Sequence, residues 1–172
     1  MIQYKKHFHE IGGQPHMALD SVDKKIIRCL QDNSRMNASA IGEAVNMSVS
    51  AVIERIKKLE NAGIIKKYTV CLNEEKLGND VLAFVEVSTE QYKYNEVISG
   101  VQEFVRNCPQ ILECHVVTGN SDILLKVVTE STKSLEQILN NLKEVKGVSY
   151  TRTAIVMSTL KSEVSTGFSD RT

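Results

Sequence analysis

Six side chains between Ser50 and Lys58 (Ser50, Ala51, Glu54, Arg55, Lys57 and Lys58) could do chemistry together, and it is recognition chemistry. At a helical repeat they fall off the stripe made by Val49, Val52, Ile53, Ile56 and Leu59, which recur at spacings of three and four. Arg55 presents a donor fork suited to guanine O6 and N7 or to phosphate. Ser50 would discriminate less, Ala51 could meet a thymine methyl, and Glu54 could accept from cytosine. Glu54 could instead order Arg55, and Arg55 could pair with Glu54 or with a neighbour in its own domain. Arg35, Lys57, Lys58, Lys66 and Lys67 read as phosphate contacts, which give affinity but not sequence. Solvated lysines are the plain reading of Lys66 and Lys67. Ser48 and Asn37, each placed to cap a helix, complete the candidate DNA-contacting set.

Catalytic constellations do not occur. The chain has no paired carboxylates, nucleophile–base pair, glycine-rich phosphate loop or metal-ligand spacing. The four cysteines, Cys29, Cys71, Cys108 and Cys114, form no Cys-x-x-Cys pair and no histidine cluster accompanies them. An enzyme, a metal site and a cofactor are therefore not expected. Cys29 and Cys114 read as small apolar side chains within a helix and a strand.

The candidate face needs a helix to present it. Ser48 can cap that helix and Gly63 can stop it. Before it, Asp20 can cap a first helix with Asp23 as the capping-box acid, and Val22, Ile26, Ile27 and Leu30 form its buried stripe. Asn37 caps a short second helix, Ala38 to Val45, and Asn46 suits a left-handed turn. Helix, short helix, tight turn and longer helix make a helix-turn-helix over residues 19–65. That arrangement places the polar face of the last helix outward, as a recognition helix for the DNA major groove requires. A solvated surface helix is the bland alternative. Tyr68, Val70 and Leu72 alternate with Thr69 and Cys71, so residues 66–80 read as a strand and linker.

From Val81 the pattern changes. Strand, helix, strand, tight turn at Gly119-Asn120-Ser121, strand, helix and strand follow, up to residue 160. The order β-α-β-β-α-β is the ferredoxin-like split fold. The class is thus α+β, a helix-turn-helix domain of winged-helix type followed by a ferredoxin-like βαββαβ domain. Helices would cover one sheet face, and a second copy packed sheet to sheet is the simplest cover for the other.

Length and composition agree. The 172 residues allow two small domains, and 42% hydrophobic with 24% charged content is that of a soluble globular protein. No apolar run approaches the roughly 20 residues that span a bilayer, so no membrane partner and a cytoplasmic location are expected. Net charge is zero, yet residues 19–73 hold nine Lys/Arg against six Asp/Glu, while residues 74–172 hold ten against fourteen. So small a basic excess implies weak DNA binding by one copy and tighter binding by several. Residues 1–18 read as a disordered leader, and residues 161–172 as a loose tail. Met17 would make a natural start, with Gly12-Gly13 read through from a ribosome-binding site. The nucleotide sequence tests that.

From Leu19 to Lys161 the chain resembles the Lrp/AsnC family of leucine-responsive and asparagine-responsive regulators. The resemblance rests on Leu19-Asp20 with Asp23 and Ile26-Ile27; Ser34-Arg35; Met47 to Val52 with Arg55-Ile56, Leu59-Glu60 and Gly63-Ile64-Ile65; Tyr68-Thr69 and Leu77-Gly78. It continues through Glu113-Cys114, Val117-Thr118-Gly119 and Asp122, then Lys146-Gly147-Val148 with Thr151 and Thr153. Met47 stands where the family often has leucine. The resemblance implies a bacterial or archaeal transcriptional regulator whose second domain senses a ligand and oligomerises. Members dimerise through paired sheets, often forming tetramers or octamers, and many bind an amino acid between dimers. Its positions here would be Gly119, Asn120, Ser121, Asp122, Thr151 and Thr153. Asp122 could hold the ammonium group, and turn amides and threonine hydroxyls the carboxylate. The plain reading is that Gly119 and Asp122 shape a hairpin. An architectural DNA-wrapping protein without effector is the alternative function. A sirohaem decarboxylase-like enzyme is the remote one, to which only His115 points.

Overall fold

The computed structural model describes residues 17–90 and 94–166. Most of the expected leader and the last six residues of the expected tail lie outside them. The chain divides into a front unit, up to Val70 with the stretch from Glu163, and a back unit, Cys71–Ser162.

Three helices form the front unit: α1 (Ser21–Asp32), α2 (Ala38–Val45) and α3 (Val49–Asn61). Each begins where a short polar side chain accepts from a free backbone N–H one turn on. Asp20 accepts from Asp23, Asn37 from Ala40 and Ser48 from Ala51, and Asp20 with Asp23 closes a capping box. Asn46 takes the left-handed conformation (φ 55°, ψ 50°) that turns α2 into α3. Gly42 is required there, because a Cβ would lie 2.7 Å from the Met47 carbonyl oxygen. Ile26, Ile41, Val45, Val52 and Leu59 make the core, with Met17 and Met47 packed against it. Met17 therefore belongs to the folded unit and not to a disordered leader ending at residue 18.

Residues 66–73 are not a strand. Alternation gave the segment a strand pattern, but no strand among the described residues pairs with it. Tyr68, Val70 and Leu72 stay exposed. A strand needs a partner to satisfy its backbone, whatever its side-chain period. Residues 161–166 form neither helix nor strand, yet they are not wholly loose, since Gln31 Nε2 donates to Ser165 Oγ (2.9 Å) and to the Thr166 carbonyl (3.2 Å).

In the back unit a 3-10 turn (Glu75–Leu77) precedes β1 (Val81–Thr89), α4 (Tyr94–Arg106), β2 (Ile111–Val116), β3 (Ile123–Thr129), α5 (Thr132–Lys143) and β4 (Val148–Ile155). The strands form one antiparallel sheet in the order β2-β3-β1-β4. Ala83, Val85, Val87, Ile123, Leu125 and Val127 point to one face and are buried. Val97 and Val101 of α4 and Leu135, Ile138 and Leu142 of α5 pack over them. The opposite face mixes types. Across it Glu86 stands between Leu124 and Arg152, and Phe84 between Lys126 and Ala154.

Candidate DNA interface and effector turn

On α3 the caps and core set which side chains point outward. Val52 and Leu59 are fully buried and Ile56 is half-buried, which fixes the inner face. Ser50, Glu54, Lys57 and Lys58 are exposed, as expected. Two members of the expected apolar stripe are not on the inner face, since Val49 is 45% and Ile53 41% exposed. At 3.6 residues per turn Ile53 lies on the same outer side as Ser50, Glu54 and Lys57. Sequence reasoning missed it because spacings of three and four admit a residue at the edge of the stripe. As an apolar side chain on that side, Ile53 is better placed than half-buried Ala51 to meet a thymine methyl.

Arg55 Nη1 donates to Asp20 Oδ2 (2.7 Å) and Asp23 Oδ1 (2.6 Å), both at the start of α1. Asp23 is almost wholly buried, with 3% of its side chain exposed, and Arg55 is 29% exposed. The two acids raise the arginine's pKa, Asp20 more than Asp23, so it stays charged. The Asp20 carboxyl is lowered, first by the backbone N–H of Asp23 and then by Arg55. Arg55 thus ties α3 to the cap of α1, the pairing with a neighbour in its own domain that stood beside its reading as a base contact. Residue type had suggested the base, because the acids 32 and 35 positions earlier come near only through the fold.

The other candidates divide. Asn37 Oδ1 is taken by its cap and Ser48 Oγ by its own, with Ser50 Oγ 3.2 Å from Ser48 Oγ. Arg35, Lys57, Lys58, Lys66 and Lys67 are exposed, and none has a carboxylate partner among the described residues.

At the turn of the back unit Gly119 has φ +129°, open to glycine and strained for other residues. Asn120 is exposed and Ser121 half-buried. Asp122 Oδ2 accepts from both the backbone N–H (2.7 Å) and the hydroxyl (2.9 Å) of Thr89, while the Asp122 N–H donates to the Val87 carbonyl (3.0 Å). Asp122 therefore fastens the β2–β3 hairpin to the end of β1, the hairpin-shaping role that stood beside its reading as ammonium acceptor. Thr89, its partner, carried no signal in the sequence.

Thr151 pairs with Val87, one strand from Asp122, whereas Thr153 pairs with Val85, a further two residues away. Both are half-buried. Thr153 lines an open groove of about 350 Å³ between β4 and α5, with Leu135, Leu139 and Ile155. So Thr151 lies level with the turn but across β1 from it, and Thr153 belongs to a different depression.

His115 Nε2 lies 3.2 Å from Glu113 Oε2, and Lys126 Nζ donates to Glu113 Oε1 (3.0 Å) on the exposed sheet face. Cys114 is exposed, whereas Cys29 packs against the front core. Among the described residues no group of His, Cys, Asp and Glu could hold a metal ion, and no helix is long and apolar enough to cross a membrane.

Comparison with known proteins matches each unit separately. Residues 19–66 match the model of a winged helix-turn-helix DNA-binding domain, and residues 82–166 that of the Lrp/AsnC ligand binding domain. The HTH-type transcriptional regulator FL11 of Pyrococcus horikoshii is 36% identical over 143 residues, 83% of this chain and 92% of its own. The crystal structure of transcriptional regulator NMB0573 from Neisseria meningitidis in complex with L-Met is 30% identical. It superposes with a TM-score of 0.81 over 87% of this chain and 96% of its own. The feast or famine regulatory protein of M. tuberculosis complexed with L-methionine, 26% identical, has a TM-score of 0.78 over 87% of this chain and 99% of its own.

Proposed function

The chain belongs to the Lrp/AsnC family of DNA-binding transcriptional regulators, and on that premise we propose that a free amino acid, received at the Gly119–Ser121 turn, alters how α3 is delivered to DNA. The observation that carries the reading is the turn itself. A strained-for-others glycine and two exposed or half-exposed polar residues sit beside a carboxylate, with Thr151 level with them on the far side of β1. Turn amides and hydroxyls suit a carboxylate, and Asp122 adds negative charge for an ammonium group. The L-methionine complexes of two relatives support the same ligand class.

Ser50, Ile53 and Glu54 face the bases, and Arg35, Lys57, Lys58, Lys66 and Lys67 face the phosphates. Two copies join through the sheet face that carries Phe84, Leu124 and Tyr150, and dimers assemble further to a tetramer or octamer. The exposure of Phe84 and Tyr150 supports that face. Paired recognition helices then meet successive major grooves about 34 Å apart. The protein acts in the cytoplasm and is not an enzyme, as the regulator names of its relatives support.

A thermal-shift screen of the twenty amino acids tests the proposal. A ligand at about 100 times its Kd should raise the melting temperature by roughly 5–10 °C. The same amino acid should change DNA affinity or assembly size. No shift with any of them would favour an effector-free, DNA-wrapping role.

A further inference from the structure

The back unit holds a second polar depression, at the end of β3 far from the effector turn. Gly119 precedes the Ile123 end of β3, and this cavity of about 410 Å³ lies at its Thr129 end. Six residue steps of strand, roughly 20 Å, separate the two. Five carboxamides line it: Asn79, Asn107, Gln110, Gln137 and Asn141. They come from the segment before β1, the end of α4, the start of β2 and one face of α5.

Their hydrogen bonds leave complementary groups unused. Asn79 donates its amide nitrogen to Glu74 Oε2 (2.7 Å) and Asn107 to the Glu103 carbonyl (3.0 Å), so both offer oxygens. Gln110 accepts from Cys108 Sγ through its oxygen (3.4 Å), so it offers its nitrogen. The side-chain amides of Gln137 and Asn141 have no hydrogen-bond partner among the described residues, so each offers both groups. No lysine, arginine or histidine lines the cavity, and Glu130, with Oε1 accepting from Ser134 (2.8 Å), is the lining residue with formal charge. An anion would find no counter-charge here. Phe104 and Ile138 add an apolar wall on which a ring can stack.

We propose that this cavity is a binding site for a planar, neutral heterocycle bearing an amide-type donor–acceptor edge, distinct from the amino acid site. Carboxamides pair with such edges through two parallel hydrogen bonds. A flat carboxylate or a nucleotide phosphate would bring uncompensated negative charge next to Glu130 and be rejected.

Saturation-transfer NMR on the full chain tests this with nicotinamide and cytosine as probes and benzoate as a flat anion of similar size. Transfer to nicotinamide or cytosine, with none to benzoate, is expected. Gln137→Ala with Asn141→Ala should lower it about fivefold to tenfold, the loss of two neutral hydrogen bonds. Both residues are exposed on α5 and alanine favours helix, so the fold should persist, which a melting curve checks. Asn107→Ala, on a different element, should lower transfer independently, and Ser121→Ala should leave it unchanged. Absence of transfer, equal transfer to benzoate, indifference to the α4 and α5 variants, or loss with Ser121→Ala would overturn the proposal.

Discussion

The two units each use a carboxylate to join segments far apart in sequence, and they differ in what the carboxylate holds. In the front unit Asp23 and Asp20 grip the guanidinium of Arg55, so the angle between α1 and the recognition helix depends on side chains at both ends. In the back unit Asp122 grips Thr89 through a backbone N–H as well as a hydroxyl. No substitution at Thr89 other than proline removes that N–H. The front clamp can therefore be cut from either side, and the back clamp only from the Asp122 side. The helix with the candidate DNA-reading face is held by charge, while the candidate effector turn is anchored to the sheet.

Cutting the front clamp at its buried end should have the largest effect. Asp23→Ala removes a hydrogen bond to Arg55 and one to the Asp20 N–H, and charge-assisted bonds of this kind are worth roughly 1.5–3 kcal/mol each. Denaturant melts followed on the front unit should show a loss of about 3 kcal/mol, with DNA binding lost in parallel. Loss of DNA binding with an unchanged melt would mean that Asp23 and Arg55 act on DNA directly. Arg55→Ala should weaken binding to all DNA sequences alike. A change of preference at one base pair would make Arg55 a base reader as well as a clamp.

The back clamp should give a graded answer. Asp122→Ala should destabilise the back unit by about 2 kcal/mol, and Thr89→Val by about 1 kcal/mol because its N–H bond survives. Equal losses would mean that the hydroxyl carries the clamp and that the asymmetry between units is false.

On the outer face of α3 the effects should be smaller and of two kinds. Lys58→Ala should lower affinity across sequences and flatten the salt dependence by about one ion. Ile53→Ala should instead change preference at one base position, by roughly 1 kcal/mol, in a binding-site selection. If Ile53→Ala acts like Lys58→Ala, Ile53 reads no base.

Much of this was legible beforehand for a physical reason. Caps and stripes are local, so Asp20, Asn37, Ser48 and the bounds of α2 could be read from neighbours within one turn. The order of strands and helices was legible because period and turn chemistry change together at Gly119. What could not be read was non-local. Arg55 meets acids from another helix, Asp122 meets Thr89 on another strand, and residues 66–73 lack, among the described residues, the partner that their alternation anticipates. Ile53 was misplaced for a different reason, since a period alone gives the width of a stripe only to within one residue on either side.

Acid should distinguish the units least strongly, yet its sign is fixed. Asp20 in the folded front unit titrates below the ordinary aspartate value of about 3.9, owing to the Asp23 N–H and Arg55. Between the folded and ordinary values the unfolded chain binds more protons. The stability that Asp20 confers is therefore complete above the ordinary value and is lost as pH falls through the folded one. Glu113 in the back unit is lowered too, first by Lys126 and then by His115, so that unit also loses stability on the acid side. Amide exchange resolved by residue, followed from pH 5 downward on the order of one unit at a time, should show both slopes. Asp20→Asn keeps a good cap but removes the charge, so it should flatten the slope in α1 and α3 alone. Glu113→Gln should flatten it in the sheet alone. If either variant flattened both slopes, the two units would titrate as one body, and the contrast between a charge-held helix pair and a separately anchored hairpin turn would fail.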